Sequence, residues 1–78
     1  MKNELIQFIK TNLNEIVWFQ VPGGLISGEL SDVDENSRTI GMMRAFQHSG
    51  GQKLDLGYIA IDADQVSAWG LDEPTLAE

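Results

Sequence analysis

Cysteine is absent from this chain of 78 residues, and histidine occurs once, at His48. Without thiols there are no disulfides to supplement a small core, no thiolate metal sites and no cysteine nucleophile. Basic residues are also scarce, five against twelve acidic ones, which leaves a net charge of −7. That charge repels phosphate backbones at long range, so any contact with nucleic acid has to be local. An acidic surface also serves the plainer purpose of keeping a small protein in solution. No apolar run approaches the roughly 18 residues of a membrane helix, and Leu5 to Lys10 is too short and interrupted for a signal peptide. Together these absences lead to an expectation of cytoplasmic location with no membrane contact.

A chain of this length forms one domain, because it hides only about 60% of the surface its unfolded form exposes. Oligomerisation is then one of the few ways left to bury more apolar surface. Leu5, Ile6, Phe8, Ile9 and Leu13 recur at helical spacing and predict a short amphipathic helix over 3–13, with Asn3 as its N-cap. From residue 15 the period changes to two. Five strands are expected, over 15–21, 25–33, 39–47, 54–62 and 65–69, with Gly28 allowing a strong bend. Pro22-Gly23-Gly24 turns the chain, 34–37 is a polar turn, 47–53 a flexible loop, and Ala63-Asp64 a tight connection. The division is thus a helical segment at 1–14, a barrel at 15–69 and an acidic, frayed tail at 70–78.

Candidate chemistry is thin. Asp32, Asp34 and Asn36 begin a calcium-loop pattern, but Ser37 stands where a glycine is needed and Met43 where the bidentate glutamate belongs. A solvated acidic turn is the better description. His48 and Ser49 are neighbours in a glycine-bearing stretch, and sequence neighbours rarely have hydrolytic geometry, so His48 reads as an exposed loop residue. No acid, base and nucleophile set can be assembled, and neither an enzyme nor a bound cofactor or metal is expected. The aromatics Trp18, Phe19, Phe46, Tyr58 and Trp69 fall on strands, where core packing or subunit contact is the default role. A base-stacking platform would need cations beside them, and only Arg38 and Arg44 are near.

Two stretches carry a resemblance. Gly28, Leu30, Val33 and Asp34 match the first signature of Sm-like proteins, and Ile61, Asp64 and Val66 match the second, some thirty residues on. The chain resembles the Sm/LSm (Hfq-like) small-barrel family in element order as well. This implies a mainly β fold, with an N-terminal helix on a five-stranded, strongly bent antiparallel barrel of Sm-like (SH3-like) type. The resemblance further implies a homo-oligomeric ring of about five to seven subunits, in which the fourth strand of one copy pairs with the fifth of the next. Tyr58, Ile59, Ile61, Val66, Ala68 and Trp69 would form that interface, since 57–61 and 65–69 carry no lysine or proline to blunt an exposed edge. By the same resemblance Asn36, Arg38 and Asp62 occupy the RNA pocket. The residues there have changed: Arg38 replaces the family's Asn, and Asp62-Ala63 replaces its Arg-Gly. The opposite charges suggest an Arg38–Asp62 ion pair that reshapes the pocket. Two functions are therefore open, a ring with an RNA-associated or regulatory role, and an acidic barrel that binds protein without nucleic acid.

Overall fold

The computed structural model describes residues 3–71. The helix α1 spans Asn3–Thr11 and buries Leu5 and Ile9, one turn apart, with Phe8 beside them. Glu4 in its first turn and Lys10 in its last complement the helix dipole. Asn3, expected as the cap, is itself helical. The helix stops two residues short of the expected end because Asn12 turns back on it, its side chain donating to the Phe8 carbonyl at 2.8 Å. Asn14 then adopts left-handed backbone, φ 72°, and its N–H donates to the Leu30 carbonyl. Asparagine tolerates that conformation better than most residues.

Five antiparallel strands follow: β1 (Ile16–Val21), β2 (Gly24–Asp34), β3 (Thr39–Ser49), β4 (Gln52–Asp62) and β5 (Ala68–Leu71). They form one sheet in the order β4-β3-β2-β1-β5. Because β1 pairs with both β2 and β5, the two edges are β4 and β5. The inner face collects Val17, Phe19, Leu30, Ile40, Met42, Ala45 and Ile61 with Ala63 and Val66, closed by Leu5 and Ile9 of α1. Phe8 meets Phe19 edge-on, with ring centroids 6.4 Å apart, so the helix is locked over β1.

The bend lies at Gly28. A Cβ there would stand 2.9 Å from the Ala45 Cα, a distance that backbone cannot yield to, so only glycine lets β2 cross β3 so closely. The register of β2 on β3 shifts between Ser27 and Glu29, and β3 bulges against β4 between Met42 and Ala45. The bulge carries Arg44 in left-handed backbone, φ 52°.

Three expectations change. The flexible loop at 47–53 is instead a hairpin whose only non-strand residues are Gly50 and Gly51, both at positive φ, 59° and 80°. A pair of left-handed glycines suits the tight turn that matches strand twist, so β3 and β4 run on to Ser49 and Gln52. The connection after β4 is a 3₁₀ turn, Ala63–Gln65, which delays β5 to Ala68. Gly70 and Leu71, expected in the tail, belong to β5; the rest of the expected tail lies outside the described residues.

Candidate functional site

The turn at residues 35–38 and the 3₁₀ turn at Ala63–Gln65 meet at one end of the barrel. Thr39 pairs with Asp62 across β3 and β4, and the Ala63 N–H donates to the Arg38 carbonyl at 2.8 Å. Asn36 and Arg38 of the turn and Asp62 at the end of β4, three residues singled out from sequence, are therefore brought to the same end of the barrel. The pairing among them is different from that expected. Asp62 is the N-cap of the 3₁₀ turn, and its Oδ1 accepts from the Asp64 N–H at 2.9 Å. That turn swings the Asp64 carboxylate back over the 35–38 turn, where Arg38 Nη1 donates to both of its oxygens at 3.1 and 3.2 Å. Asp64, not Asp62, is the partner of Arg38. The cue in the sequence was the Asp62-Ala63-Asp64 spacing, in which the first aspartate bonds the backbone two residues on.

Arg38 itself has φ 59°, a left-handed position at the end of the turn. With side-chain exposures of 49% for Arg38 and 42% for Asp64, water competes for the pair and its net worth is small. The turn below it is held by Asp34, whose Oδ1 accepts from the N–H groups of Asn36 and Ser37 at 3.0 and 3.3 Å. The acidic pattern at 32–36 thus orders a turn. Among the described residues no group of three or more His, Cys, Asp or Glu side chains could hold a metal ion. Lys10 of α1 pairs with Glu35, which ties the helix to the same loop.

His48 is corrected from an exposed loop residue to a buried strand residue, 8% exposed, within 2.8 Å of the Ser27 hydroxyl through Nε2. The reason is the glycine hairpin, which keeps residue 48 in β3 opposite Leu25 and Lys53.

The residues expected at a subunit contact divide in two. Ile61 and Val66, at 7% and 4% exposed, belong to the barrel's own core and are corrected to that role, because Ile61 faces inward beside Ile40 and Val66 closes the 3₁₀ turn onto Ala63. Tyr58 on the β4 edge is 62% exposed, with Leu54 at 59% and Leu71 of β5 at 53%. Ile59, Ala68 and Trp69 are half-buried. Beside β4 a shallow, mainly apolar hollow of about 420 Å³ runs from Val21 and Ile26 to Leu56, Ile59 and Gln65. No helix among the described residues is long and apolar enough to cross a membrane.

No protein-family model matches the chain, and no curated protein sequence does. Solved structures do. The P. aerophilum SmAP1 heptamer covers 95% of this chain and 100% of its own, at 13% identity and a TM-score of 0.76. A heptameric archaeal Sm protein is similar over 86% of this chain and 98% of its own, at 13% identity and a TM-score of 0.75. The Pyrococcus abyssii Sm protein, solved in complex with a uridine heptamer, covers 86% and 96%, at 22% identity and a TM-score of 0.73. The fold of this chain is Sm-like.

Proposed function

We propose that this chain assembles head to tail into a closed ring, β4 of one copy pairing with β5 of the next, and that the ring engages RNA at the joined loops. The observation that carries the assembly is the pair of open edges. β4 runs eleven residues with a partner on one side only. Leu54 and Tyr58 stand out from it to solvent, and Leu71 stands out from β5 at the far end of the sheet. Edges of this kind invite strand addition, and a closed ring removes them without leaving a free end. The apolar hollow beside β4 would then receive side chains of the neighbour's β5. Tyr58, Ile59, Ala68 and Trp69 would share the contact. The similar structures solved as heptamers favour seven copies within the five to seven considered.

For RNA, support comes from the loop geometry together with the similar protein solved with a uridine heptamer. Asn36 and Arg38 lie on one of the two turns that meet and Asp62 caps the other, and Arg38 offers a planar donor fork for a phosphate or a base edge. Asp64 already occupies that fork, so RNA has to displace a carboxylate, and affinity should be modest and sensitive to salt. That same neutralisation, with the net charge of −7, favours the second reading, an acidic ring that docks protein without nucleic acid. Solution mass, followed by titration of labelled U-rich and A-rich RNA at low and moderate salt, tests both parts. A ring that binds U-rich RNA supports the first reading, a ring that binds neither RNA supports the second, and a monomer refutes the assembly.

A further inference from the structure

The chain has two arginines, and both sit in left-handed backbone, Arg38 at φ 59° and Arg44 at φ 52°. Glycine or asparagine would occupy such positions with less strain, and strain kept in place by a bulge re-aims a side chain. At Arg44 the bulge between Met42 and Ala45 sends the guanidinium outward, leaving its side chain 80% exposed. One nitrogen donates to Glu29 Oε1 at 3.0 Å. Two residues along β3, Phe46 carries the Lys53 ammonium 4.4 Å above its ring. Arg44, Phe46 and Lys53 share one hollow of about 270 Å³ with Ile16, Ser27 and Gly28. Its lining includes none of the apolar core residues, and it lies along β3 from the loop pocket, which begins before Thr39.

Two basic side chains, an aromatic ring and an exposed aliphatic side chain thus line a single concavity, in a chain with five basic residues. Acids near it include Glu29, on Arg44, Glu15, next to Ile16 in the chain, and Asp55, opposite Phe46 in the register, whose Oδ1 accepts from the Gly57 N–H. An arginine fork and a lysine suit a phosphate. An aromatic ring beside an aliphatic wall suits a base held without hydrogen-bond readout. An acidic peptide would meet the same cations, and only one that also carried an apolar side chain would use Phe46 and Ile16. The volume is below the roughly 300–1,000 Å³ of sites that enclose a drug-sized ligand, which fits a single nucleotide unit.

We propose that this hollow holds one nucleotide of single-stranded RNA, its phosphate on Arg44 and on a Lys53 ammonium drawn off the Phe46 ring, and its base on the ring face so freed and on Ile16. The site is additional to the loop pocket and shares with that reading only the premise that the protein meets RNA. The test uses the full chain and labelled oligouridylate and oligoadenylate of about ten nucleotides, followed by anisotropy at about 50 and 150 mM salt. Arg44→Gly removes the side chain while relieving the backbone, so its melting temperature should hold or rise. Arg44→Gly and Lys53→Gln should each weaken both oligonucleotides about five- to tenfold and flatten the salt dependence by about one contact. Phe46→Leu should weaken them as well with the fold kept. Loss of affinity in Arg38→Ala with none in Arg44→Gly or Lys53→Gln overturns this site and leaves the loop pocket standing. The reverse result supports this site and refutes the loop pocket. An Arg44→Gly protein that melts lower yet binds RNA unchanged makes Arg44 structural and overturns the proposal. No RNA binding by the unmodified chain overturns both.

Discussion

Replacing Arg38, Asp62 and Asp64 singly and in pairs separates the two ways of wiring the loop end of the barrel. Arg38 Nη1 reaches both oxygens of Asp64, whereas Asp62 caps the 3₁₀ turn through Asp64 N–H. With both partners more than two-fifths exposed, the Arg38–Asp64 coupling should be about 0.3–1 kcal/mol in a double-mutant cycle of Ala and Asn replacements. Asp62→Ala should cost about 1 kcal/mol or slightly more on its own, as the loss of an N-cap does, and couple to Arg38 more weakly than Asp64 does. Chemical denaturation gives the stabilities, with the slope checked for constancy across variants. The same wiring has a functional arm. Asp64→Asn releases the guanidinium fork and removes a negative charge, so affinity for U-rich RNA should rise about two- to fivefold, the equivalent of the coupling energy. A larger coupling between Arg38 and Asp62 than between Arg38 and Asp64 would refute the geometry. RNA affinity that falls in Asp64→Asn would refute the idea that Asp64 competes for Arg38.

Other outcomes follow from burial and backbone. Gly28→Ala should destabilise by about 1–3 kcal/mol through overpacking against the Ala45 backbone; a denaturation midpoint equal to that of the unmodified chain would contradict the placed bend. Ser27→Ala should cost about 1–3 kcal/mol, because it takes a hydrogen-bond partner from the buried His48, and thermal melting at neutral pH reads it. Val66→Lys should abolish folding, since its side chain is 4% exposed, as circular dichroism would report. Tyr58→Lys, on the open β4 edge, should keep the fold and yield a smaller particle on a sizing column.

The elements legible in the sequence are those set by local pattern. Leu5 and Ile9 at one-turn spacing gave away the helix, alternation around Val17 and Phe19 the first strand, and Gly28 the bend. Motif positions at Gly28, Leu30, Ile61 and Val66 pointed to the Sm-like barrel that the backbone adopts. What was hidden depends on contacts distant in sequence or on backbone angles. Gly50-Gly51 amid polar residues reads equally as a flexible loop and as a hairpin, and only pairing of β3 with β4 decides. His48 looked solvent-exposed because its partner, Ser27, is 21 residues away on β2. The Arg38–Asp64 pair depends on the 3₁₀ turn that swings Asp64 back over residues 35–38. Ile61 and Val66 fit a subunit contact from sequence because an apolar residue in an alternating stretch can face a neighbour or the core, and in the fold both are buried within the barrel.

Sedimentation of the unmodified chain at tens of micromolar, on the order of ordinary assay concentrations, bears most directly on the claim that β4 and β5 are complementary edges. A ring of seven would sediment as a single species of about seven times the 8.6 kDa chain mass, unchanged on moderate dilution. A single species at 8.6 kDa would leave both edges open to solvent and contradict the account.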